Sequence, residues 1–267
     1  MPKQPAPSLS LAAGIVVLAF GAALAAFRER PAPFSRQRDK PPVGATRAGV
    51  GGKTVAGTMV APPIPPRPSE WFLAGSAAVV ASPVRQPPRG VPPALADLLS
   101  RVPRPDYWRD PTDPSCPVTW AHEATHGMTS ELSRGGRWVM YLLDGRAVAF
   151  SAQPAVTIGQ VAASIPPHER GPIFDLYLVK QRKDWDTEPL YLLDEWNCYV
   201  HGTIARRQAG LEKRGETERY AIEMERYCRA MLATVEKRVP TYPDLALLRD
   251  FIEWQSRRFD DLTAVLP

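Results

Sequence analysis

Read as a pattern of apolar and polar positions, the chain changes character twice. Leu9 to Phe27 (LSLAAGIVVLAFGAALAAF) is apolar on every side, and residues 28–93 show no apolar period at all. From Pro93 onward, apolar residues recur at the three- and four-residue steps of helices with one buried face. Pro93–Val102 (PALADLLSRV) predicts a short helix opened by proline, and Cys116–Leu132 (CPVTWAHEATHGMTSEL) a longer one. Val118, Ala121, Thr125, Met128 and Leu132 mark the buried face of the longer helix. The run WVMYLLDGRAVAF predicts two strands joined at Asp144-Gly145, a two-residue hairpin signal. Helical periodicity resumes over 157–165, 170–182, 188–209, 216–238 and 243–263. The expected fold is α+β and mostly helical, with a small sheet beside the first long helix.

The two N-terminal segments divide the chain into an apolar run (1–27), a linker (28–93) and a folded domain (94–267). The apolar run is long enough to cross a bilayer as a helix. It ends in Ala23-Leu24-Ala25, a small-x-small pattern that a signal peptidase cuts, so it reads as a signal peptide or a membrane anchor. Arg28, Arg30, Arg36, Arg38 and Lys40 follow it, and a strict positive-inside rule holds that flank in the cytoplasm. The expected location is the cell envelope, with the chain membrane-anchored through residues 9–27 or secreted. The linker is rich in Pro, Gly, Ala and Arg and reads as a disordered spacer.

Composition sharpens this division. Of the 30 prolines, 22 lie at or before Pro117. Residues 1–93 hold 11 Lys/Arg against 3 Asp/Glu, and the remainder 22 against 25, so the net charge of +5 belongs to the tail. A mildly acidic folded part argues against nucleic acid as a partner. Three cysteines without a CxxC pair make neither a disulfide scaffold nor a zinc ribbon. Exported, the chain allows one disulfide and a spare thiol; buried, inert cysteine is the simpler reading. No GxGxxG follows a strand, so no nucleotide cofactor is expected.

The chemistry concentrates in His122-Glu123-Ala124-Thr125-His126. On a helix, residues four apart lie one above the other, so both imidazoles project from one face and can take two corners of a zinc tetrahedron. Glu123 sits at the rim, where it can take a proton from water and return it to a leaving group. With 4 His and 14 Glu in 267 residues, random placement gives about 0.003 such matches. A catalytic zinc needs a third protein ligand and one open position. Positions 129 and 132 are Thr and Leu, so this helix supplies no third histidine. Glu195, in PLYLLDEWNCYVHG (189–202), is the best candidate: Tyr191, Glu195, Cys198 and Gly202 share one helical face, with Tyr199 adjacent. His201, Asp194 and Glu188 are the alternatives. Asp194 shares a more polar stripe with Asn197 and His201, which suits a partner that orients a ligand histidine. Tyr191, Tyr199 and His201 are candidate donors to a transition-state oxyanion, with Tyr177 a remoter one.

HExxH followed by a downstream helical glutamate resembles the zincin metallopeptidases, in their gluzincin branch. The order of helix, hairpin and helices is most similar to minimal gluzincins such as the catalytic domain of anthrax lethal factor. That resemblance implies His122, His126 and Glu195 as zinc ligands, Glu123 as general base, and a protein or peptide substrate. It departs from thermolysin-like members, whose ExxxD support motif reads Glu195-xxx-Tyr199 here, and 69 residues separate His126 from Glu195. Two other readings are a non-catalytic envelope scaffold of the same fold, and a zinc hydrolase of a non-peptide amide.

Overall fold

The computed structural model describes residues 83, 86–87, 89–102, 116–133, 137–211 and 215–264. The apolar run 1–27 and nearly all of the linker lie outside the described residues. Among the described residues no helix is long and apolar enough to cross a membrane. The described part is mostly helical with one two-stranded antiparallel sheet, the α+β arrangement expected. In chain order it comprises α1 (Pro93–Arg101), α2 (Cys116–Leu132), β1 (Trp138–Tyr141), β2 (Ala147–Phe150), α3 (Ile158–Ser164), α4 (Arg182–Trp185), α5 (Tyr191–Gln208), α6 (Glu216–Arg238) and α7 (Leu245–Ala264).

The helix ends follow local chemistry. Pro93 opens α1, where its missing N–H costs nothing. Thr157 and Gln160 form a reciprocal capping box at the start of α3. The single helix expected over 170–182 is instead a π-type segment, Asp175–Lys180, followed by the short α4. The wider turn buries both Tyr177 and Leu178 and leaves Val179 exposed.

The strands pair Trp138 with Phe150 and Tyr141 with Ala147, which leaves five residues between the paired positions rather than a bare two-residue turn. Leu142 N–H bonds to Arg146 O, and Arg146 N–H to Leu143 O. Leu143, Asp144 and Gly145 all take positive φ, an unfavourable conformation for leucine. The turn is held from outside: the Asp97 carboxylate on α1 accepts from the Tyr141 hydroxyl and from Asp144 N–H, and the same hydroxyl accepts from Gly145 N–H.

The core is organised around α5, which packs against α1, α2, α6 and α7. All residues from Tyr191 to Ala205 are buried, so α5 has no solvated stripe until its last turn. The more polar stripe of Asp194, Asn197 and His201 therefore faces neighbouring elements. Those side chains are buried too, and Asn197 and His201 find partners across element boundaries. Asn197 donates to Tyr141 O at 2.7 Å and accepts from Gln255 Nε2 at 3.1 Å. His201 Nδ1 lies 2.9 Å from Thr125 Oγ1. Gly202 sets the approach of α5 to α2: a Cβ there would sit 3.2 Å from Val118 O. Met224, Tyr227, Met231 and Val235 of α6 are buried as a core stripe, with Tyr220 only half-buried at its end.

Asn197→Ala removes both partners' hydrogen bonds from the dry junction of β1, α5 and α7. The expected cost is about 1–3 kcal/mol, read as a lower urea midpoint with unchanged slope.

Candidate metal centre

Helices α2 and α5 bring the predicted residues together although 69 positions separate them in sequence. His122 and His126, one turn apart on α2, point their Nε2 atoms to within 3.2 Å of each other. Glu195 on α5 meets both: its Oε2 lies 3.5 Å from His122 Nε2 and its Oε1 lies 3.5 Å from His126 Nε2. The three side chains are nearly enclosed, at 3% exposure for His122, 12% for His126 and 2% for Glu195.

Two tetrahedral donors bonded to zinc at about 2.0–2.1 Å stand about 3.3 Å apart, so the 3.2 Å between the two imidazole nitrogens matches one edge of a coordination tetrahedron, and each nitrogen has a different Glu195 oxygen at 3.5 Å. The chemistry of the set fits as well. Among the described residues, Glu195 Oε2 is buried without a hydrogen bond, with His122 Nε2 3.5 Å away, a separation that two donors sharing one cation would have. A second grouping also satisfies the spacing: donor atoms of His122, His126 and Cys198 all lie within 4.8 Å of one another. A buried cluster that could hold a metal ion is therefore present at His122, His126 and Cys198, with the Glu195 carboxylate beside the two histidines.

The surrounding groups fix the donors. Asp194 Oδ2 lies 2.7 Å from His126 Nδ1, which directs Nε2 toward the cluster. The aspartate that supports a histidine thus precedes Glu195 instead of following it by four positions. The Tyr191 hydroxyl donates to Glu195 Oε1 and also reaches Gln181 Oε1 at 3.2 Å. The Tyr199 ring packs edge-on against His122 with centroids 4.7 Å apart, and its hydroxyl meets that of Tyr177 at 2.7 Å.

Electrostatics follow from this packing. Burial alone would push the Glu195 carboxyl up, but the His126 and His122 imidazoles outweigh it and hold it well below the carboxylate range. Burial opposes charge on His126, yet Cys198, Asp194 and Glu195 together raise its pKa well above the ordinary histidine value. Burial, with Arg258 and His122 nearby, depresses His201 well below that value and keeps it neutral.

Three of the sequence candidates take places other than a free oxyanion donor's. Tyr191 is committed to Glu195. His201 backs α2 through Thr125, with Arg258 3.4 Å from its Nε2. Tyr199 lies beside His122 and shares its hydroxyl with Tyr177. Glu123 is half-buried and, among the described residues, carries no hydrogen bond or ion pair. Glu188, half-buried with its carboxyl raised by burial, is not among the cluster's contacts. His168 is exposed and pairs with Glu169. Cys198 and Cys228 are buried free thiols, so neither forms a disulfide.

The Tyr191 and Tyr177 contacts differ in how far sequence reaches them. Tyr191 and Glu195 are i,i+4 on one predicted helix, which signals the contact. Tyr177 arrives through the π-type turn, which no periodicity announces.

Two outcomes are expected. A metal ion must displace the proton that the raised pKa keeps on His126, so affinity should tighten with rising pH, by up to about tenfold per unit for one proton released. Competition with a chelating dye from pH 5.5 to 7.5 reads it. Asp194→Asn should weaken the same affinity by about 10–100-fold while the helical circular dichroism is unchanged. Comparison with protein-family models, with curated proteins and with solved structures gives no match, so the residues and their geometry alone carry the functional reading.

Proposed function

We propose that the chain is a zinc-dependent hydrolase of peptide bonds, built on a zincin-like domain. The observation that carries this is the convergence of His122 and His126 Nε2, 3.2 Å apart, on the Glu195 carboxylate, one oxygen 3.5 Å from each, with a half-buried, uncommitted Glu123 on the same helix. A zinc ion held by these three donors acidifies water and polarises a carbonyl.

The chain's own residues supply the rest. Glu123 is the base: its carboxylate takes the proton of the attacking water and returns it to the leaving amine. Asp194 holds His126 in the orientation that presents Nε2 to the cluster. Tyr191 holds Glu195 by its Oε1 and limits rotation of the carboxylate. Tyr199 walls the His122 side. Nearly enclosed donors in a packed helix interface strengthen each of these interactions relative to water.

The apolar run Leu9–Phe27 supports an envelope location, exported or membrane-tethered, and the Pro/Arg-rich linker supports a spacer behind it. A second reading is a non-catalytic domain whose metal only braces α2 against α5. It is favoured by Cys198, which makes a four-donor protein set conceivable.

Glu123→Gln separates the two. Wild type is expected to carry about one zinc per chain by mass spectrometry and to cleave a mixed peptide library. The variant should keep the zinc and lose turnover by about 10²–10⁴-fold. Zinc should disappear in both His126→Ala and Glu195→Ala. Equal cleavage by Glu123→Gln and wild type overturns the assigned base, and zinc without cleavage in wild type favours the bracing role.

A further inference from the structure

We propose that Cys198 is a fourth protein donor of this centre, its thiolate closing the His122–His126–Glu195 set around a thiophilic divalent ion in the resting protein. The proposal rests on the metal-site reading above and says what occupies the fourth position. Cys198 lies three residues after Glu195 on α5, nearly one turn on, and its side chain is wholly buried. Its sulfur and a ring nitrogen from each of His122 and His126 lie within 4.8 Å of one another. Donors bonded to one tetrahedral zinc through nitrogen and sulfur stand about 3.5 Å apart. The excess over that spacing is smaller than the arc a thiol sweeps between rotamers.

The other described cysteine shows the contrast. Cys228 donates its S–H from α6 to Leu192 O on α5 at 3.3 Å, away from any imidazole. Cys198 instead has the His126 ring, Asp194 and Glu195 as its polar neighbours. The orphaned, buried Glu195 Oε2 points independently to a cation at the same place. On binding, the S–H bond breaks heterolytically: the electron pair becomes the metal–sulfur bond and the proton leaves to solvent. Imidazole and thiolate together favour zinc- or cobalt-like ions over magnesium or calcium. With four protein donors in place no position is open to water, so the thiol must withdraw before hydrolysis.

Cobalt(II) loading of the full-length chain tests this by absorption. Wild type and Cys228→Ala should show visible tetrahedral bands together with a near-ultraviolet sulfur-to-cobalt charge-transfer band. Cys198→Ala, and Cys198→Ser as the closer isostere, should lose the charge-transfer band and keep the visible ones. Visible bands in wild type without charge transfer overturn the thiolate donor and leave the three-donor site standing. A charge-transfer band that survives in Cys198→Ala overturns it too. No tetrahedral bands in wild type removes the metal site itself, and the proposal with it. A wild-type spectrum without charge transfer overturns the proposal whether or not the variants fold, and Cys198→Ser, the closer isostere, assigns the band when it is present.

Discussion

The contact between α2 and α5 is the constraint on which the rest depends. Two histidines from one helix and two carboxylates from the other are carried into an interface that excludes water. Ionisable groups in such a place are tolerated only if each meets a partner of opposite character. Here most of the pairing is made, and among these carboxylates Glu195 Oε2 and Asp194 Oδ1 are left without a hydrogen bond. His126 meets Asp194 and Glu195, Glu195 Oε1 meets Tyr191, and Glu195 Oε2 faces His122 without a bond. Glu195 Oε2 lies beside His122, whose ring nitrogen converges with a ring nitrogen of His126 and the sulfur of Cys198, and this makes the arrangement a candidate metal site.

Much of the remaining fold holds that interface in register. Gly202 lets the α5 backbone approach Val118 on α2, and the Thr125–His201 contact fastens the same pair of helices from behind. Arg258 of α7 lies beside His201, so α7 touches the centre through two intermediaries. The hairpin contributes through Tyr141, whose carbonyl receives Asn197 and whose hydroxyl anchors the strained turn to Asp97. These are directional contacts. They fix the rotation of α5, where an all-apolar interface would leave neighbouring registers close in energy.

A single helix also performs two electrostatic tasks. Asp194 and Glu195 are adjacent, so they project about 100° apart on α5. One reaches the outer nitrogen of His126 and the other the inner nitrogens of both histidines. The first carboxylate acts on the ring and the second on the cluster. An ordinary alternation of acid and apolar residues would place only one of them at the interface.

The sequence by itself determined the elements and half of the centre. Apolar periodicity foresaw α1, α2, the strand pair and the three long C-terminal helices, because each buries one face whose spacing is written locally. HExxH placed two nitrogens and a carboxylate on one helix, since four residues make about one turn. Glu195 and its i,i+4 partner Tyr191 were legible for the same reason. Tertiary structure alone decided what lay across chain distances. It supplied the contact by which Asp194, expected to orient a histidine, meets His126, brought Cys198 within reach of both histidines, and engaged Tyr191 with Glu195 and His201 with Thr125. It also settled which elements cover the polar stripe of Asp194, Asn197 and His201. A helix enclosed on every side has no solvated face for periodicity to report, so its polar residues declare their partners only once the neighbouring helices are in place.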